Sequence, residues 1–218
     1  MIPLKDDNPR STFPVLTVAL IVINVIVFYF EFQLGYVPVI ERFGAVPMVI
    51  LEGQRLETLF TSMFLHGGFM HLAGNMLYLW IFGDNIEHYL GRGRFIVFYF
   101  LCGLLAVWTH ILLGGISNVP MVGASGAISG ILGAYLIKYP KARVLVLFPI
   151  FGFLTMRPVP ALVVLGLWFV MQLFSGIGSI GVQGGGVAFW AHVGGFVAGV
   201  VLILIFPAKR RQSTVVFR

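Results

Sequence analysis

"VGASGAISGILGAYLIK", residues 122–138, is an apolar run that opens with two serines set among glycine, alanine and isoleucine. A helix in hydrocarbon gains from such small residues, because backbones without bulky side chains approach closely and pack. Serine in a membrane helix is commonly a packing residue or a hydroxyl bonded back to its own helix. Ser125 therefore admits two readings on its own residues: it lets helices meet, or it reacts.

The surroundings identify the medium. Of 218 residues, 59% are hydrophobic and 10% charged, far too few polar groups to cover a soluble domain of this size. Six runs are long enough to be membrane helices, roughly 13–33, 70–89, 94–113, 123–138, 158–175 and 187–206. Their continuous apolar character excludes a transmembrane β-barrel, whose strands are short and alternating. The expected fold class is all-α: one six-transmembrane-helix bundle domain over residues 1–218. The first run is too long for a cleaved leader, and no Ala-x-Ala follows it. Cys102, the single cysteine, excludes an internal disulfide.

Charge sets the orientation. Lys5 and Arg10 precede the first run, Arg92 and Arg94 follow the second, Lys138, Lys141, Arg143 and Arg157 separate the fourth and fifth, and Lys209, Arg210, Arg211 and Arg218 follow the sixth. That is twelve of the fourteen Lys and Arg on one side, which the positive-inside rule makes cytoplasmic, with both termini. The net charge of +6 thus reports topology, and nucleic acid is not an expected partner. The outer segment between the first two runs, about 34–69, mixes apolar pairs with charges at helical spacing, as interfacial helices do. The Gly-rich outer stretch "SGIGSIGVQGGG" (175–186) reads as a plain connector or as a lid over a site.

Polar residues from distant runs reach one depth. At 1.5 Å per residue, Ser125 lies about 20 Å above the inner boundary, His192 about 22 Å and Asn75 about 24 Å. All three fall in the outer half of a core about 30 Å thick. Ser125, Ser129 and Gly133 share one helical stripe, and His192, Gly195 and Gly199 share another. If these stripes meet, a hydroxyl and an imidazole come together, the minimum for nucleophilic catalysis. "HGGFMHLAGN" adds His66, His71 and Asn75. His71 and Asn75 lie one turn apart on one face and can aim donors at an oxyanion, as can the Ser125 N–H in a first helical turn.

No Asp or Glu occurs from His88 to Arg218, which favours a Ser–His dyad over a triad. No His-Glu-x-x-His supports a zinc protease, and Asp84 alone cannot make an aspartyl dyad. A transporter would carry ionisable groups through to the inner side. Asp84 and Glu87 beside Arg92 and Arg94 read as a structural charge cluster, and His88 and His110 as interfacial. No metal, nucleotide or other cofactor is suggested.

These residues resemble the rhomboid intramembrane serine proteases over nearly the entire chain, in the minimal six-helix, prokaryotic-type form. "GASG" (123–126) is similar to the family's Gly-x-Ser-Gly, "AHVGGFVAG" (191–199) to its Ala-His-x-x-Gly-x-x-x-Gly, and "HGGFMHLAGN" to its His-x4-His-x3-Asn. "FGDNIEHYLG" and "ERFGAVP" also resemble family sequence. The resemblance implies Ser125 as nucleophile and His192 as general base and acid. It further implies His71 and Asn75 at the oxyanion hole, and His66 as support for the outer loop and site. Gly123 would support the site, while Gly126, Gly130, Gly195 and Gly199 would serve helix packing. Ser129 stands where some members carry an aromatic that stacks on the catalytic histidine. The implied substrates are single-span membrane proteins, cut in or near the spanning segment, with membrane lipid around the enzyme and a prokaryotic plasma membrane as its site. The outer half of the fifth run, "LWFVMQLF", is a candidate place for substrate to enter. An inactive relative that binds membrane clients without cutting them is the alternative; such relatives typically lose the serine or histidine.

Overall fold

The computed structural model describes residues 1–9, 12–150, 153–180 and 187–209. Long helices coincide with the six apolar runs: α1 (Val15–Leu34), α5 (Phe69–Leu90), α6 (Arg92–Leu113), α7 (Ser125–Lys138), α8 (Ala161–Gly178) and α9 (Phe189–Ile205). Three of them, α1, α6 and α8, are long and apolar enough to cross a membrane by themselves, and α9 is apolar but shorter. The chain is an integral, multi-pass membrane protein. Between α1 and α5 lie short helices α2 (Tyr36–Phe43), α3 (Pro47–Leu51) and α4 (Thr58–Thr61), followed by a 3-10 turn at Ser62–Phe64.

The fold is not purely helical, which corrects the all-α expectation. Strands β1 (Ile2–Asp6), β2 (Arg143–Ile150) and β3 (Phe153–Pro160) form an antiparallel sheet in the order β1-β2-β3. Ile2 pairs with Leu147, and Leu147 with Met156. The segment between α7 and α8, which the basic residues marked as a connection, is thus a paired hairpin. Val144 and Val146 turn inward and are fully buried. The sheet closes the basic end of the bundle, where Asp6 accepts hydrogen bonds from Tyr135 Oη at 2.7 Å and from Asn85 Nδ2 at 3.0 Å. The other end of the chain reaches the same place. Lys209 N–H donates to the Tyr89 carbonyl (2.7 Å), and Arg94 donates to the carbonyls of Pro207 and Ala208.

The expected Asp84–Glu87–Arg92–Arg94 cluster takes a different form. Glu87 receives Leu16 N–H, Thr17 N–H and Thr17 Oγ1 at 3.0, 2.8 and 2.8 Å. Its carboxylate caps α1, satisfying N–H groups left free at a helix start.

α9 runs through the middle of the bundle against α6 and α7. Its approach to α7 depends on missing side chains. A Cβ on Gly199 would collide with the backbone of Gly130, and one on Gly195 with the carbonyl of Gly126. On the α6 side, Gly194 lies against Thr109, and Gly130 against Cys102. The face of α7 against α9 is therefore Gly130 and Gly133 with the Gly126 carbonyl, so Gly133 of the expected stripe belongs to it while Gly126 and Gly130 stand one position round from Ser125 and Ser129. Towards the basic end, Phe82, Phe95, Phe98, Tyr99 and Tyr135 fill the space as glycine gives way to aromatics. Phe82 and Tyr135 meet edge to face with centroids 4.9 Å apart.

Gly199→Ala is expected to destabilise the purified protein by about 1–3 kcal/mol, read as a lowered thermal midpoint in detergent. Gly166→Ala, whose Cβ would meet nothing within 4 Å, should not lower it. Equal midpoints for the two variants would refute the dependence of the fold on this close approach.

Candidate active site

Ser125 is the first residue of α7, at the end of an extended lead-in pinned from two sides. Ala45 and Met121 form a β-bridge, and Gly123 N–H donates to the Ser62 carbonyl at 2.8 Å. Gly123 has φ +124°, a conformation that favours glycine. His192 lies in the first turn of α9, and the glycine crossing below sets the two helix starts side by side. The result is a 2.8 Å hydrogen bond between Ser125 Oγ and His192 Nε2.

The other imidazole nitrogen settles the direction of that bond. His192 Nδ1 lies 2.8 Å from Gln172 Oε1 on α8. A carbonyl oxygen only accepts, so Nδ1 carries the proton. Nε2 then offers its lone pair, and the serine hydroxyl donates. Trp168, one turn before Gln172, lies over the ring with centroids 5.9 Å apart and planes at 35°. Sequence reasoning found neither residue. The aromatic contact absent at Ser129 comes from α8 instead. Ser129 is buried and donates to the Ser125 carbonyl at 2.6 Å.

His71 and Asn75 line the same cavity as Ser125 and His192. Gly67 N–H donates to His71 Nδ1 at 3.2 Å, which leaves the proton of the neutral ring on Nε2. That nitrogen faces the lead-in to Ser125: a Cβ on Gly123 would stand 2.8 Å from His71 Nε2 and 3.4 Å from Ser125 Oγ. Asn75 is 7% exposed, and among the described residues its Nδ2 has no hydrogen-bond partner. The site thus holds unspent N–H donors beside a polarised hydroxyl, the arrangement that suits a developing oxyanion.

His66 does not reach the cavity. It is fully buried with its ring 5.1 Å from that of His71, edge to face. Its backbone N–H donates to both Glu31 oxygens at 3.1 Å. Glu31, fully buried on α1, therefore ties the outer segment to the first helix through the backbone of His66, the residue expected to support that loop. His110, expected only at a boundary, also lines the cavity. Ser179, Val187 and Phe189 flank it; the central part of the candidate lid, 181–186, lies outside the described residues. The cavity measures roughly 1310 Å³, large enough for several side chains of an extended peptide.

A family model described as "Rhomboid domain" matches residues 53–209, which include every residue of this constellation except Glu31. The chain belongs to the rhomboid family. Rhomboid protein 1, mitochondrial, of Saccharomyces cerevisiae is 32% identical over 146 residues, 64% of this chain and 39% of that protein. Rhomboid protease GluP of Bacillus subtilis is 32% identical over 130 residues, 60% of this chain and 25% of that protein. Presenilin-associated rhomboid-like protein, mitochondrial, of Homo sapiens is 34% identical over 96 residues, 42% of this chain and 25% of that protein. The matched stretches cover well under half of these relatives. The prokaryotic plasma membrane expected from sequence draws no support from relatives named mitochondrial.

Histidine 15N NMR is expected to find Nδ1 protonated in neutral His192 and Nε2 protonated in neutral His71. The opposite tautomer at His192 would contradict acceptance by Gln172 Oε1, and the opposite tautomer at His71 would contradict donation by Gly67 N–H.

Proposed function

We propose that this rhomboid protein is an intramembrane serine endopeptidase that hydrolyses peptide bonds in or near the spanning segment of single-span membrane proteins. The observation that carries the reading is the 2.8 Å Ser125–His192 hydrogen bond in a cavity that also presents His71 and Asn75. α1 and α5 to α9 act as six spans of one domain. The basic end faces the cytoplasm, α2 to α4 lie in the outer interface, and the cavity opens outward to water.

A peptide carbonyl inside a substrate helix is hydrogen-bonded and shielded, so the segment unwinds before attack. His192 Nε2 takes the Ser125 hydroxyl proton as Oγ bonds to the scissile carbonyl carbon. The oxyanion that forms accepts from His71 Nε2–H, Asn75 Nδ2–H and the free N–H at the start of α7. When the intermediate collapses, the C–N bond breaks and Nε2–H protonates the leaving amine. Water then enters from the outer side and gives a proton to Nε2. Its oxygen bonds to the acyl carbon, and Ser125 Oγ leaves, recovering its proton from Nε2. Gly123 keeps room for the His71 ring beside the nucleophile.

Reconstituted protein is expected to cut a fluorogenic single-span substrate. Ser125→Ala and His192→Ala, each verified as folded, should lower kcat by about 10⁴-fold or more. His71→Ala and Asn75→Ala should lower it by about 10²–10³-fold. Undiminished cleavage by folded Ser125→Ala would remove the nucleophile. Wild-type protein that binds several such substrates and cuts none would replace the protease with a client-binding protein.

A further inference from the structure

Ser125 and His192 stand on α7 and α9, which the glycine crossing holds rigidly together. Gln172 stands on a helix attached quite differently. α8 buries only Ala161, Val164, Leu165 and Gly176. It rests on α9 through Phe169, stacked on Phe196 with centroids 4.5 Å apart, and through Gly176 against Trp190. Among the described residues α8 shares no extensive contact with α5. The cavity separates them, with Tyr78 of α5 and Trp168 of α8 in its wall.

We propose that Gln172 is a positioning residue that ties the reactivity of Ser125 to the place of α8. With α8 against α9, the amide fixes the His192 ring. When α8 moves aside to admit a substrate segment, the ring loses that support until α8 returns. This inference rests on the protease reading above.

A neutral imidazole has two tautomers, and only the one protonated at Nδ1 can take the serine proton at Nε2. Gln172 Oε1, 2.8 Å from Nδ1, selects that tautomer. Trp168, four residues earlier on the same helix, limits rotation of the ring. Because both constraints sit on α8 one turn apart, they leave and return together. No carboxylate side chain lies anywhere in the chain after Glu87, and Ser129 is committed to the Ser125 carbonyl. A segment that props α8 open is therefore held beside a loosened base. One that lets α8 close over it meets the assembled pair, so closure adds a selection step after binding.

The test uses the whole protein in detergent and a small fluorophosphonate that enters the cavity from water. Gln172→Ala is expected to slow its reaction with Ser125 about tenfold, the scale of one lost hydrogen bond. It should lower kcat for a membrane substrate similarly and leave KM nearly unchanged. Gln172→Glu should restore the rate and move the ascending limb of the pH profile to higher pH. A carboxylate stabilises the imidazolium, and the base must be neutral to act. His71 and His110, the other imidazoles in the cavity, are the same in every variant. Phe169→Ala loosens α8 from α9 away from the site. It should slow the probe more in wild-type background than in Gln172→Ala, where only the Trp168 contact is left to lose, a non-additive cycle. If Gln172→Ala reacts at the wild-type rate with the wild-type pH midpoint, the positioning role is wrong. If Phe169→Ala leaves the probe rate unchanged, or slows it equally in both backgrounds, the coupling is wrong. Wild-type protein that neither reacts with the probe nor cuts substrate would instead overturn the protease reading, and this inference with it.

Discussion

The approach of α7 to α9 governs the geometry of the rest of the bundle. In lipid there is no hydrophobic gain from pressing two apolar helices together, so their association depends on how closely the backbones can come. Gly130 and Gly133 on one side and Gly195 and Gly199 on the other lack the Cβ atoms that would hold them apart, while Gly126 makes the same room against Ala106 of α6. A helix packed this tightly has few ways to slide or rotate. Ser125 and His192, just above the crossing, inherit that rigidity, which is what a 2.8 Å hydrogen bond between two separate helices requires. The same close packing explains the gradient along the bundle. Small residues lie near the site, and large aromatics fill the basic end, where the helices diverge.

Polar groups buried in such a molecule have to be answered by other protein groups. At the basic end they are. Glu87 caps α1, and Asp6 gathers Tyr135 and Asn85, so the N-terminal strand and the first helix are pinned to α5 and α7. At the opposite end Glu31 holds the His66 N–H and so fixes the loop that carries the start of α5. Some buried polar atoms have no partner among the described residues, Tyr99 Oη and both His66 ring nitrogens among them, and in the cavity beside Ser125 the unmatched donor is Asn75 Nδ2. A buried donor left unmatched is costly to the fold. In the protease reading its use comes from what arrives, a developing oxyanion whose charge fits that donor.

Much of this was legible in the chain because lipid imposes strong rules. Apolar length marked the helices to within a few residues, with 94–113 realised as Arg92–Leu113 and 187–206 as Phe189–Ile205. Depth arithmetic brought Ser125 and His192 to one level. The sheet was not legible. "RVLVLFPI" and "FLTMRPVP" lack polar alternation, and Arg143 and Arg157 looked like loop charges between two spans. Gln172 is the one polar side chain in "LWFVMQLF", a signal for an inward-facing residue that was passed over, whereas nothing marks which of its aromatics, Trp168 included, faces lipid and which the site. Glu31 sits near the outer end of an apolar run, and only the fold shows that it turns inward to a backbone N–H.

In the protease reading, rigidity and access make opposite demands, because the substrate is itself a membrane helix. The catalytic pair needs helices that do not move relative to each other, and a transmembrane segment needs one that does. The two demands fall on different elements of this bundle. α7 and α9 meet through backbone and tolerate almost no displacement, whereas α8 leans on α9 through ring stacking, which can part and re-form with smaller loss. A site built only from α7 and α9 would be equally reactive toward water whether or not substrate was present. Borrowing the support of His192 from α8 places the last constraint on the movable element. In the proposed coupling the assembled geometry becomes a consequence of closure, and the helix that admits the substrate also decides when Ser125 can act.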